Sequence, residues 1–125
     1  PLERLRTLRE TLGFETGFRV AGVMYRPQSV NDAYFAAQPA LPEARLEREP
    51  DNQADEHAIK VLLDHDGRTY HVGYVPRAMN WRYGPDDYLP SVHVLCMGPS
   101  KMREPYTTKP YVWVAVESDL SAAAA

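Results

Sequence analysis

Cysteine is nearly absent. Cys96 is the single one in 125 residues, so neither an intramolecular disulfide nor a multi-cysteine zinc site can form. A reducing compartment is the simple expectation, and with it the cytoplasm. Long apolar runs are missing too: nothing approaches the roughly 18 residues of a membrane span. The opening stretch PLERLRTLRE holds no apolar signal core, so neither insertion nor export is expected. Charge of one sign is not in excess either. The 14 Lys and Arg against 17 Asp and Glu give a formal net charge of −3, which excludes a uniformly basic nucleic-acid glove. Also lacking are a glycine-rich phosphate loop, a Ser-His-Asp set and a pair of carboxylates spaced for acid and base work, so no catalysis is expected. No internal repeat is visible.

What is present fits one domain. Apolar residues make up 44% and charged ones 25% of the chain, ordinary values for a folded globular protein. Eleven prolines, seven glycines and eight tyrosines are too many breakers and ring side chains for a helical bundle, and favour short strands joined by turns. Charge is patchy along the chain. Residues 1–30 carry five Arg against three Glu, whereas residues 41–66 carry eight Asp and Glu against Arg45, Arg48 and Lys60, which leaves room for one basic face.

Leu5, Leu8 and Leu12 recur at helical spacing before Gly13, predicting a short amphipathic helix within residues 1–13. FRVAGVMY, residues 18–25, reads as a first strand with Gly22 as a bulge or a close-approach point. Residues 26–43 lie between prolines and predict an excursion with a single helical turn over Asp32 to Ala37. Strands follow at 44–49, 58–63, 69–75, 91–97 and 111–116, with a hairpin turn at Asp64-His65-Asp66-Gly67, where Gly supplies a positive φ. Pro76 opens a short helix over 76–82, and residues 98–110 read as a flexible loop. About six short strands and two or three short helices predict a mainly β fold, a small OB-fold-like and partly closed barrel over residues 14–118. Residues 119–125 read as a flexible tail. Pro1 is compatible with removal of an initiator Met or with excision from a longer protein. Cys96, inside VHVLCM, reads as a buried and inert thiol.

One segment carries most of the information. Arg48-Glu49-Pro50-Asp51-Asn52 leads through Asp55 to Ala58-Ile59-Lys60-Val61, and Gly73-Tyr74-Val75-Pro76-Arg77 follows after a Gly turn, with Gly22-Val23 upstream. Together these resemble the HIRAN domain family, over roughly residues 17–116. The resemblance implies an OB-like barrel that holds single-stranded DNA at its 3′-hydroxyl end. Family members occur fused to Swi/Snf-type ATPases and nucleases, and also alone in bacteria. Asp55 matches the motif Asp that accepts a hydrogen bond from the terminal hydroxyl. An ionised carboxylate only accepts, so it suits a hydroxyl donor and repels a phosphate.

Departures from the family pattern thin the stacking surface. Ala54 stands where a stacking Tyr is expected, Arg19 replaces another such Tyr, and His57 replaces the motif Asn. Tyr74 and Arg77 fall where the family places His and Lys near the strand's phosphates, and Tyr106 is the candidate aromatic of the late loop. The expected nucleic-acid-binding set is therefore Arg19, Tyr25, Asp55, His57, Tyr74, Arg77, Lys101, Arg103 and Tyr106, with single-stranded DNA or its 3′ end as ligand. No cofactor and no metal are expected. Two roles are open to Asp55: besides reading an end, it could simply accept backbone N–H groups in the turn that starts a strand, together with Asp51 and Asn52. Two other functions compete with DNA binding. One is protein docking onto a larger helicase, nuclease or defence complex, and the other is metal-dependent phosphodiester cleavage by Asp51, Asp55, His57 and His71.

Overall fold

The computed structural model describes residues 17–79, 89–103 and 106–117, with the backbone alone for 101–103 and 106–108. The helix expected within 1–13 and the tail expected at 119–125 lie outside the described residues.

Among the described residues, six strands form one antiparallel sheet: β1 (Gly17–Arg19), β2 (Glu43–Arg48), β3 (Ile59–His65), β4 (Arg68–Tyr74), β5 (Val92–Gly98) and β8 (Tyr111–Val116), in the order β1-β8-β5-β2-β3-β4. The sheet curls until its two ends meet. Ala21, just past β1, exchanges backbone hydrogen bonds of 2.8 and 2.9 Å with Tyr74 at the end of β4. Two bulges help to bend it, one between β3 and β4 at Val61/Leu62 and one between β5 and β8 at Val94/Cys96, since an extra residue on one strand increases local twist. The mainly β, partly closed barrel expected from the sequence is what forms.

Alternation explains the core. Ile59, Val61 and Leu63 on β3, Val72 on β4, and Val112 and Val114 on β8 are all fully buried on the inner face. Each such side chain contributes about 1.5–3 kcal/mol relative to exposure. One end of the barrel is closed by helix α1 (Pro27–Ala37), which buries Val30, Ala33 and Ala37 against β3, β4 and β5. Its Asn31 side chain accepts from the Ser100 N–H at 2.9 Å and donates to the Ser100 hydroxyl at 3.1 Å, pinning the helix to the chain after β5.

Four local expectations are corrected. Gly22 adopts φ 77°, a left-handed conformation, so the first strand stops before it and Val23–Tyr25 form a 3-10 turn. The single helical turn at 32–37 is the second half of an eleven-residue helix, because Pro27 at the first helical position starts it rather than blocking it. The expected loop at 98–110 contains a second small sheet, β6 (Lys101–Arg103) paired antiparallel with β7 (Tyr106–Thr108). At the β3–β4 hairpin, Asp66 and Gly67 have φ 49° and 78°, the type I′ pattern that matches strand twist. Cys96 is half-buried rather than fully enclosed, at the β5 bulge.

Candidate functional site

The segment between β2 and β3, residues 49–58, is a loop held by its own side chains. Glu49 N–H reaches the Ala58 carbonyl at 2.9 Å, so the loop is pinched at its base. Inside it, the Asn52 side-chain oxygen accepts from the Ala54 and Asp55 N–H groups at 2.9 and 3.0 Å, and Asp55 Oδ1 accepts from the His57 N–H at 2.9 Å. These successive Asx turns are what Asn and Asp do most readily in a tight loop. The structural role foreseen for Asp55 is therefore real, and it occupies one carboxylate oxygen.

The other oxygen faces Arg77, whose Nε lies 3.9 Å from Asp55 Oδ2. Exposure of the two is very unequal: 82% for the Arg77 side chain and 17% for that of Asp55. The carboxylate is held by its surroundings, while the guanidinium reaches out from a short 3-10 turn at 77–79. Asp55 and Arg77 share a cleft of about 260 Å³ with Ala21, Asn52, Ala54, Ala58, Tyr74 and Val75. Small residues make its depth: alanines at 21, 54 and 58 leave open the space that larger side chains would fill.

Tyr74 also lines the cleft. Its hydroxyl donates to Glu49 Oε1 at 3.1 Å, and the same oxygen accepts from the Asn52 amide at 2.7 Å, while Lys60 Nζ lies 3.2 Å from Oε2. Glu49 is held below its ordinary pKa, chiefly by the Asn52 hydrogen bond, which with those of Lys60 and Tyr74 outweighs the upward push of burial. The Lys60 ammonium is raised in turn by its hydrogen bond to Glu49. The Tyr74 ring meets His71 edge-on at 5.0 Å, and the Arg26 guanidinium lies over it, 6.0 Å from the centroid. Burial, and then the charge of Arg26, hold the His71 pKa below its ordinary value.

Of the residues expected from sequence, Asp55, Tyr74 and Arg77 come together around the cleft. Arg19 is exposed on β1, paired with Trp113 of β8, and points outward two residues before Ala21. Tyr25 is 83% exposed in the 3-10 turn, next to Arg26. His57 projects into solvent, 73% exposed and 3.5 Å from Glu56, and is not part of the cleft wall. Lys101, Arg103 and Tyr106 lie on the β6–β7 hairpin, and their side chains fall outside the described residues. Asp51, Asp55, His57 and His71 do not gather: among the described residues no group of three or more His, Cys, Asp or Glu side chains is placed to hold a metal ion. Sequence reading missed Arg26, Asn52 and Glu49. Asn52 was legible as part of the motif, but the Arg26 contact with Tyr74 exists only once β4 meets the segment after β1, and the Glu49 contact only once β3 pairs with β4.

The family model for the HIRAN domain matches residues 14–85. The chain belongs to the HIRAN domain family. The matched span is shorter than the 17–116 expected, yet it includes every residue lining the cleft and both Asp55 and Arg77. Comparison with curated proteins and with solved structures gives no significant match. HIRAN domains are known as nucleic-acid-binding modules. Among the described residues, no helix is long and apolar enough to cross a membrane.

Proposed function

We propose that this HIRAN domain binds single-stranded DNA and takes its 3′-hydroxyl end in the cleft, as a recognition module without chemistry of its own. The observation that carries the reading is the pairing of two opposite charges at one cleft wall: the recessed Asp55 carboxylate, 3.9 Å from the exposed Arg77 guanidinium. A 3′ end presents this combination of needs, a hydroxyl that donates and, one linkage away, a phosphate that requires a cation. Tyr74, backed by Arg26, supplies a ring for the last base in place of the Tyr that Ala54 replaces. Arg19 and Tyr25, on the adjacent outer surface, would meet nucleotides further along the strand.

Fluorescence anisotropy with labelled oligonucleotides tests the reading. A single strand should bind more tightly than the blunt duplex of the same sequence, because a paired end hides the base face that stacking needs. Equal affinity for both would count against an end-binding cleft, and no binding to either would move the function to protein docking.

A further inference from the structure

Glu49 follows β2 directly, and its carboxylate gathers donors from three places: the Asn52 amide at 2.7 Å, the Tyr74 hydroxyl at 3.1 Å and the Lys60 ammonium at 3.2 Å. Its side chain is 19% exposed and is not part of the cleft lining. Asn52 passes the constraint on. Its nitrogen donates to Glu49 while its oxygen accepts from Ala54 and Asp55, so the planar amide is held at both ends and cannot rotate without breaking one set of bonds. Asp55 and Tyr74, which both line the cleft, are thus both referred to a single carboxylate.

We propose that Glu49 is a positioning residue for DNA-end recognition: by holding Asn52 and Tyr74 at once it sets where Asp55 stands relative to the aromatic wall, without touching the strand. This rests on the DNA-end reading given above. Charge is what lets one residue serve three donors, since an ionised carboxylate only accepts. The Asn52 amide and the Tyr74 hydroxyl share Oε1, so a glutamine that kept its oxygen there would keep both bonds and turn its N–H donors only toward Lys60, whereas a leucine offers neither oxygen. Glu49→Leu therefore breaks the relay at similar size, whereas Lys60→Gln removes the ion pair and leaves the relay in place.

Two measurements on the folded chain test this: amide hydrogen exchange by NMR, and anisotropy with oligonucleotides ending in a 3′-hydroxyl or a 3′-phosphate. In Glu49→Leu, exchange at Ala54 and Asp55 should accelerate about fivefold or more while Leu63 and Val72 stay protected, because only local opening is affected. The hydroxyl-to-phosphate affinity ratio should fall toward one. Lys60→Gln should keep both the protection and the ratio. Asn52→Asp keeps the acceptor oxygen for Ala54 and Asp55 but loses the donor to Glu49, and should reproduce the effect if Glu49→Leu fails to fold. Unmoved loop amides, or two affinities falling in parallel at an unchanged ratio, would overturn the proposal. Should the wild type prefer neither end, the end-reading function fails by itself. The loop amides then decide whether Glu49 holds the loop at all.

Discussion

Arg77 and Glu49 show how differently two charged residues of one site behave. Arg77 is largely exposed, so its pairing with Asp55 adds little to stability, and in the proposed function its role is to hold a phosphate. Arg77→Ala should weaken binding to all single strands alike and reduce the log–log salt slope by about 0.7, the share of one phosphate on a single strand. Anisotropy titrations across salt concentrations check this. Loss of the folded state instead would reassign Arg77 to the strand-to-helix junction. Glu49 is the opposite case, a carboxylate whose pKa is lowered in the fold by Asn52, Lys60 and Tyr74. Its contribution is fully present above the unfolded-state value and is lost as pH falls through the lower folded value. Asp64 behaves alike: burial would raise it, but hydrogen bonds from Thr69 and Arg45 more than offset that, so its pKa also lies below the ordinary carboxylate value. His71 acts in the same direction from higher pH, because its folded pKa is depressed and the unfolded chain takes up the proton first. Stability measured by urea melts should therefore decline from neutral pH downward, and Glu49→Gln should flatten the part of that decline below about pH 4.5, the carboxylate range. An identical slope in the variant would contradict the assignment.

At the scale of elements, the closure of the barrel depends on one close approach. A Cβ on Gly73 would run into the Ala21 carbonyl oxygen and come within 2.7 Å of Val20 Cγ1, where the two ends of the sheet meet. Gly73→Ala should therefore destabilise the fold by about 1–3 kcal/mol, the usual cost of forced overpacking, and a urea midpoint equal to wild type would refute the tight closure. How far such features could be read in advance differs by element. The Asp66-Gly67 hairpin was legible because the turn needs positive φ at both positions and few residues tolerate it. Strands β3, β5 and β8 were legible as apolar runs bounded by turn residues, within a residue or two. Helix α1 was underread because Pro27, Ser29, Asn31 and Asp32 look like loop residues one at a time. The spacing of Val30, Ala33 and Ala37 shows its buried face. The β6–β7 hairpin was missed because Lys, Arg, Glu, Pro and Thr give no alternation to follow. In the cleft, Asp55, Tyr74 and Arg77 were legible from motif spacing. The Glu49–Tyr74 bond spans 25 residues and depends on the pairing of β3 with β4, which local sequence does not announce.

For the whole molecule the net charge of −3 sets the character of binding. A negative chain has no long-range pull on DNA, so affinity must come from a few contacts at the cleft and the surface beside it. Neutralising two or three phosphates predicts a log–log salt slope of roughly −1.4 to −2 on single strands. A flat response would point to a protein partner instead. The central claim, that Asp55 reads a hydroxyl terminus, is tested most directly by the affinities of wild type and Asp55→Asn for one oligonucleotide ending in a 3′-hydroxyl or a 3′-phosphate. A lost hydrogen bond to a charged group costs about 1.5–3 kcal/mol and the phosphate adds like-charge repulsion, so wild type should prefer the hydroxyl at least about tenfold. Asparagine keeps an acceptor for the His57 N–H, and with it the Asx turn, but not the charge. The variant should stay folded, bind the hydroxyl end more weakly and accept the phosphate end more readily, so that the preference narrows from both sides. A folded Asp55→Asn with an unchanged hydroxyl-to-phosphate ratio would contradict the claim.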